Sequence, residues 1–154
     1  MEQPAGNKIT GNPSSHPALS VKWVEDFPDI PLNRNEAYKL RVTSKGVEIE
    51  AITETGVYRA IQTLRQLTEK KGNGIAITGC EITDWPAFRI RGFMQDVGRT
   101  YISTDELKRE IAILARYKIN VFHWHLTENQ AWRLQSKVFP MLNDSVNTTR
   151  QPGK

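Results

Sequence analysis

Residues 121–130 read VFHWHLTENQ, and this stretch decides the predicted fold. Its first six residues are apolar except for two histidines, and apolar side chains fall on both faces of an extended chain. That pattern is typical of a parallel strand that is covered on both sides. A carboxylate and two amides follow almost at once, at Glu128, Asn129 and Gln130. Polar groups are therefore expected at the downstream end of a buried strand.

A further strand and a helix precede this stretch. Residues 88–97 read as a strand, and Ser103 and Glu106 have the Ser-x-x-Glu spacing of a capping box at the start of a helix. Apolar positions in that helix predict one buried stripe, formed by Leu107, Ile111, Leu114 and Ala115. Strand, helix and strand within about forty residues predict one right-handed βαβ unit with parallel strands.

The carboxyl ends of these two strands are the predicted functional edge, because ligands bind at that edge in parallel α/β sheets. The two ends are residues 96–100 and residues 125–130. Histidine, glutamate, asparagine and glutamine thus stand where a ligand is expected.

The first half of the chain predicts a separate small α/β unit. Residues 38–43 and 47–51 alternate on either side of a turn that contains Gly46, which predicts a β-hairpin. Residues 55–68 place apolar side chains at helical spacing, with the helical region ending near residues 72–74. Residues 75–82 are expected to return as one short strand.

Three segments are predicted along the chain. Residues 1–18 are rich in Gly, Pro, Asn and Ser and predict a flexible leader. Residues 19–85 form the small α/β domain, and a second domain begins at residue 86. The Asp84-Trp85-Pro86 sequence marks the boundary, because proline restricts the residue before it and cannot donate to a sheet.

The composition is that of a soluble globular chain, with 154 residues, 38% apolar, 25% charged and a net charge of +4. Because the positive charges are spread along the chain, no nucleic-acid surface is predicted. The single cysteine, Cys80, excludes an internal disulfide and is expected to be a small buried residue. The N-terminus lacks the apolar core of a signal peptide, and no stretch reaches the ~20 residues of a membrane span. Neither an export signal nor membrane insertion is predicted.

Two arginines belong to the first strand and its end. Arg99 follows Asp96 at the carboxyl end, where a guanidinium can hold a vicinal diol or a carboxylate through paired hydrogen bonds. A surface salt bridge with a neighbouring acid is the alternative. Arg91 lies deep in the predicted strand, which indicates a buried ion pair with a neighbouring acid.

The second strand carries its own candidates. His123 and His125 share one face, so they predict either part of a metal site or two histidines hydrogen-bonded in a packed interior. No third clear ligand accompanies them, and no metal or other cofactor is predicted. Glu128 is either a carboxylate that orients a histidine or a solvated loop acid. Trp132 is either a sugar-stacking platform or a loop anchor.

Three segments together resemble glycoside hydrolase family 20, the β-N-acetylhexosaminidases. They are RGFMQDVGR at residues 91–99, YKINVFHWHLTENQAWR at residues 117–133, and the Phe-Pro pair at 139–140. The resemblance runs from residue 38 to residue 142 and includes YRAIQTLRQL at 58–67, which is similar to the small domain preceding the family's catalytic barrel. It implies an α/β fold: a small α+β domain followed by the first βαβ unit of a truncated (β/α)8 TIM barrel.

The resemblance also implies roles for single residues. The arginine matching Arg99 binds hydroxyls of a terminal N-acetylhexosamine, and the acid matching Glu128 supports a histidine that in turn supports the general acid. With Trp132, Arg99 forms the predicted substrate contacts. Three more residues are predicted to support the site without touching the substrate: Arg91, Asp96 and His125.

The sequence departs from the family's usual motif at three positions. Glu128 and Asn129 stand where two aspartates are usual. The first position keeps its carboxylate on a side chain one methylene longer, and the second position loses its charge. Thr100 replaces a usual histidine.

The reaction implied by the resemblance is retaining hydrolysis of terminal β-linked GlcNAc or GalNAc from a glycan, with the substrate's acetamido oxygen as nucleophile. An adjacent Asp-Glu pair normally orients the acetamido group and protonates the leaving oxygen. That pair normally lies on the fourth barrel strand, and here the adjacent pair Asp105-Glu106 opens a surface helix instead.

We therefore expect a fragment without its general acid, inactive alone, whose missing partner is the remainder of its own barrel. Two alternatives stay open: a metal-dependent barrel hydrolase using His123 and His125, and a non-catalytic carbohydrate-binding module.

Overall fold

The computed structural model describes residues 8–9, 18–129 and 131–143 and divides into two compact units, Met1–Arg89 and Ile90–Lys154. The described helices are too short or too polar to cross a membrane. In chain order, the first unit contains β1 (Lys8–Ile9), β2 (Ala18–Trp23), β3 (Tyr38–Thr43), β4 (Gly46–Ala51), α1 (Glu54–Leu67), β5 (Thr68–Lys71), β6 (Gly74–Thr78) and β7 (Cys80–Asp84). The second contains β8 (Gly92–Asp96), α2 (Thr104–Arg116), β9 (Val121–His125), β10 (Thr127–Glu128) and β11 (Ala131–Trp132).

The first unit is built on a four-stranded sheet with the order β2-β4-β3-β7. Strand β2 is parallel to β4, and β3 is antiparallel to both of its neighbours, which confirms the predicted hairpin. Gly46 is required at the start of β4, because a Cβ there would lie 2.4 Å from the carbonyl oxygen of Ala18. A second sheet has the antiparallel order β1-β6-β5.

Helix α1 covers one face of the four-stranded sheet. Its N-terminus is capped by Thr53, whose side chain accepts a hydrogen bond from the Gly56 backbone N–H at 3.4 Å. The helix and sheet enclose a core of seven buried residues: Tyr38, Leu40, Val42, Val47, Ile49, Ala51 and Ala60. Cys80 is half-buried against this core, and burial raises the pKa of its thiol.

Several predictions for this unit need correction. Helix α1 is confirmed, but the region after it is not helical: β5 and β6 form a hairpin. The one strand predicted at residues 75–82 is two, because the chain changes sheets at Gly79, between β6 and β7. Strand β2 was not predicted. Of the predicted leader only residues 8, 9 and 18 are described; Lys8–Ile9 pairs with β6, and the rest lies outside the described residues.

The second unit opens with the predicted βαβ arrangement. Strands β8 and β9 are parallel, with Phe93 opposite Phe122, so the predicted strand direction is confirmed. The capping box of α2 is also confirmed. The Ser103 side chain accepts from the Glu106 backbone N–H at 3.3 Å, and the Glu106 carboxylate accepts from the Ser103 backbone N–H at 3.0 Å.

Strand length and burial in this unit differ from the predictions. The strand predicted at residues 88–97 begins at Gly92. Leu107 of α2 is buried, but Ile111 is 45% exposed, and Trp124 of β9 is 44% exposed. The predicted buried stripe and the strand covered on both sides are therefore wrong for this structure. The physical reason is that β8 and β9 pair only with each other among the described residues, so their apolar surface lacks further strands and layers to cover it.

Candidate functional site

The carboxyl ends of β8 and β9 lie side by side. Asp96, the last residue of β8, is opposite His125, the last residue of β9. The Val97 backbone N–H donates to the His125 carbonyl oxygen at 3.0 Å and extends the pairing by one step. Two segments leave from this edge, the first rim loop (residues 97–101) and the rim hairpin (residues 126–129 and 131–133). Parallel pairing thus brings together the two predicted polar ends.

Arg99 connects the two segments. Its backbone N–H and its Nη1 each donate to the Asp96 carboxylate at 3.0 Å, and its Nη2 donates to Glu128 Oε2 at 3.0 Å. The Arg99 side chain is nevertheless 57% exposed. The guanidinium is therefore fixed between two carboxylates while much of it faces solvent, which suits a group that binds a ligand.

Glu128 lies on the rim hairpin, where β10 pairs antiparallel with β11. Its Oε1 accepts from the Asn129 backbone N–H at 3.2 Å, and its Oε2 lies 3.3 Å from His125 Nε2. The Asn129 hydrogen bond, the His125 contact and the Arg99 charge hold the pKa of Glu128 below its ordinary value. Glu128 is thus a charged carboxylate at neutral pH.

Asp96 is held in the same state by its own loop. The backbone N–H of Arg99 is the main cause that lowers the pKa of Asp96, and the positive charge of Arg99 adds to it. Both carboxylates of the rim are therefore ionised and engaged with Arg99.

The lowered pKa of Glu128 gives a pH dependence of stability with a defined sign. Its pKa is lower in the folded than in the unfolded chain, so its contribution is present above the ordinary value of about 4.3 and is lost as the pH falls through the lowered folded value. The thermal midpoint of the second unit, measured from pH 6 to pH 3, should therefore fall less steeply in Glu128→Gln than in the wild type. Parallel curves for the two proteins would show that Glu128 is not stabilised by this network.

Gly98 allows the first rim loop to approach the rim hairpin. A Cβ at this position would lie 3.0 Å from Glu128 Cβ and 3.3 Å from Asp96 Oδ1. Both distances are tighter than most contacts that a Cβ atom makes in proteins. A side chain at position 98 would therefore have to displace the side chains of Glu128 and Asp96.

We expect Gly98→Ala to lower the free energy of unfolding of the second unit by about 1–3 kcal/mol, the usual cost of overpacking. Gly92→Ala is the matched control, because its Cβ would meet Val121 Cβ at an ordinary 3.8 Å. Urea unfolding followed by circular dichroism measures both variants. Equal effects of the two substitutions would contradict the close approach at Gly98.

The other predicted site residues lie around this centre. Arg91 precedes β8, so it is not deep in the strand, and its Nε donates to the Lys118 carbonyl oxygen at 2.8 Å. Its predicted ion pair with an acid stays a prediction. Trp132 is half-buried in β11, opposite Thr127. The ring centroids of His123 and His125 are 6.1 Å apart, and the described residues contain no group of three His, Cys, Asp or Glu side chains able to share a metal ion.

Two family models match this chain. "Glycosyl hydrolase family 20, domain 2" matches residues 4–85, and "Glycosyl hydrolase family 20, catalytic domain" matches residues 88–153. The chain belongs to glycosyl hydrolase family 20. The resemblance noted in the sequence is thereby confirmed.

Relatives within family 20 agree with this assignment. The chain is 42% identical over 159 residues to a β-hexosaminidase of Porphyromonas gingivalis, with 99% of this chain and 18% of that protein covered. Among solved structures it is similar to a Vibrio harveyi exo-β-N-acetylglucosaminidase in complex with N-acetylglucosamine (TM-score 0.68, 36% identity, 80% of this chain and 18% of that one). A Bacteroides fragilis β-N-acetylhexosaminidase is also similar (TM-score 0.70, 37% identity, 79% and 24%). The chain thus spans about a fifth of the length of these family 20 relatives.

Three features of the edge formed by the first rim loop and the rim hairpin were not predicted from the sequence. They are the close approach at Gly98, the pairing of β10 with β11, and the contacts of Arg133 with the first rim loop. Asn129 immediately after β10 was a usable signal for the hairpin, because asparagine favours tight turns. Nothing in the spacing of Gly98 or Arg133 marked them.

Proposed function

We propose that this chain forms part of the sugar-binding rim of a retaining β-N-acetylhexosaminidase acting on glycans that end in β-linked GlcNAc or GalNAc. The observation that carries the proposal is the guanidinium of Arg99, fixed between Asp96 and Glu128 at the carboxyl ends of two parallel strands. A guanidinium has five N–H donors, and Arg99 directs two of them at carboxylates within the described chain. In this proposal the other donors of the guanidinium bind hydroxyls of a terminal sugar.

The other site residues have supporting roles in this proposal. Trp132 offers an aromatic face to the sugar, as stacking platforms do. Asp96 and Glu128 orient Arg99, and His125 orients Glu128 in turn. Arg91 fastens the start of β8 to the segment before β9 through the Lys118 carbonyl oxygen.

In this proposal the second unit is the opening βαβ of a (β/α)8 barrel. The domains follow the predicted boundaries, with a leader at 1–18, a small α/β domain at 19–85 and the start of the barrel at 86–154. The parallel pair and its polar carboxyl edge support the proposal, since TIM barrels carry their active sites at that edge.

We further propose that these 154 residues by themselves do not hydrolyse the substrate. A general acid needs a raised pKa to hold its proton near neutral pH. The pKa of both rim carboxylates is lowered instead, so neither Asp96 nor Glu128 is suited to protonate a leaving group. The acid has to come from the remainder of the barrel, and the chain's own rim contributes binding and orientation.

A chimaera tests the proposed activity. In the P. gingivalis β-hexosaminidase, the segment aligned with this chain is replaced by these 154 residues. We expect the folded chimaera to release 4-nitrophenol from 4-nitrophenyl N-acetyl-β-D-glucosaminide, while the 154-residue chain does not. A folded chimaera without turnover would contradict the proposed rim. Turnover by the chain alone, persisting through repeated purification, would contradict its dependence on a further acid.

A further inference from the structure

Arg133 contacts the first rim loop from the rim hairpin. Its Nε donates to the Val97 carbonyl oxygen at 2.8 Å, and its guanidinium carbon lies 5.6 Å from the centroid of the Tyr101 ring. Its backbone N–H donates to the Leu126 carbonyl oxygen at 2.9 Å, which anchors Arg133 to the base of the hairpin. One side chain therefore holds both ends of the first rim loop.

The two carboxylate contacts of Arg99 differ in how far they depend on the spacing between the first rim loop and the rim hairpin. The contact with Asp96 is local, because the two residues are three positions apart on one connection. The contact with Glu128 spans 29 positions and exists only when the first rim loop and the rim hairpin keep their spacing. A displacement of about 1 Å would stretch that 3.0 Å bond beyond hydrogen-bonding range.

We propose that Arg133 is a positioning residue that holds Arg99 within bonding distance of Glu128 and so sets how the Arg99 guanidinium faces a ligand. The Val97 carbonyl oxygen accepts the Arg133 Nε–H, so the main chain of the first rim loop is held two residues before Arg99. A planar guanidinium can make this bond and contact the Tyr101 ring together, because its atoms are rigidly arranged. This inference rests on the site proposed above, but it concerns geometry and needs no turnover.

The test is an NMR titration of side-chain carboxyl groups in the 154-residue chain. We expect Arg133→Met to raise the pKa of Glu128 toward its ordinary value and to leave that of Asp96 unchanged, since only Glu128 loses its hold on Arg99. Lys108→Met is the matched control, because it removes one positive charge from the exposed Lys108–Asp105 pair of α2. It should change neither pKa.

Two results would overturn the proposal. An unchanged Glu128 pKa in a folded Arg133→Met chain would show that Arg99 keeps its place without Arg133. Equal rises at Glu128 and Asp96 would indicate loss of a nearby charge and no change in spacing. If Arg133→Met does not fold, Arg133→Lys decides in its place, because lysine keeps the positive charge but lacks the planar guanidinium that makes the Val97 bond and the Tyr101 contact together. A selective rise at Glu128 supports the proposal there, and no rise refutes it.

The proposed function can fail separately from this inference. An inactive chimaera together with a selective Glu128 shift would leave Arg133 as a positioning residue of a site with another use. An active chimaera without that shift would keep the hexosaminidase and remove Arg133 from its positioning role.

Discussion

Ile49→Ala is expected to lower the free energy of unfolding of the first unit by about 2–5 kcal/mol. Ile49 is fully buried in β4, between β2 and β3 and within the core that α1 covers. Truncation removes three carbons from a packed interior and leaves a cavity that the sheet cannot collapse into without distorting its pairing. Small domains have only about 5–15 kcal/mol of stability in total, so this single change removes a large share.

Leu19→Ala is the control for Ile49→Ala. Leu19 lies on the neighbouring strand β2, opposite Val47, and is 54% exposed. It should lose about 1 kcal/mol or less, as exposed strand positions do. Urea denaturation of both variants, followed by far-UV circular dichroism, compares them directly. Comparable losses would mean that the core of this unit is not where the burial of Ile49 indicates.

Local patterns were enough to predict the elements that position the site. The capping box at Ser103 and Glu106 marked the start of α2, and the apolar run of β9 indicated a parallel strand. A helix that connects two neighbouring strands makes them parallel, and the strand direction determines which polar residues share an edge. Arg99 and Glu128 could therefore be expected to lie near each other.

Burial in the second unit could not be predicted from the same patterns. The apolar stripe of α2 and the two apolar faces of β9 indicate surfaces that a larger structure covers. Ile111 and Trp124 remain substantially exposed among the described residues, because burial depends on neighbours that a local pattern does not supply. The apolar pattern thus predicts which surfaces are suited to burial, but it does not predict whether other parts of the chain cover them.

The fine geometry of the rim depends on contacts that no residue pattern encodes. Gly98 matters because a Cβ would meet the Glu128 side chain, and Arg133 matters because a backbone carbonyl accepts its hydrogen bond. Backbone acceptors are present at every position, so the sequence does not mark Val97 as a partner for Arg133. Such contacts follow only from the placement of the whole chain.

Arg99→Ala, introduced into the P. gingivalis chimaera, is expected to lower kcat/KM roughly ten- to a hundredfold. Hydrogen bonds to a charged group contribute about 1.5–3 kcal/mol each, and a factor of ten in kcat/KM corresponds to about 1.4 kcal/mol. We expect KM to rise and kcat to fall together, because Arg99 is proposed to hold the sugar in both the bound state and the transition state. Steady-state kinetics with the 4-nitrophenyl substrate measures both constants.

Arg99→Lys separates charge from shape in the same assay. Lysine keeps the positive charge between Asp96 and Glu128, but it lacks the planar fork that Arg99 directs at both carboxylates. Its kcat/KM should fall between those of the wild type and the alanine variant. Lys108→Ala removes an exposed charge on α2 and should leave both constants unchanged. An Arg99→Ala chimaera with wild-type kcat/KM would exclude Arg99 from the sugar site. Its two ion pairs would then serve only to connect the first rim loop with the rim hairpin.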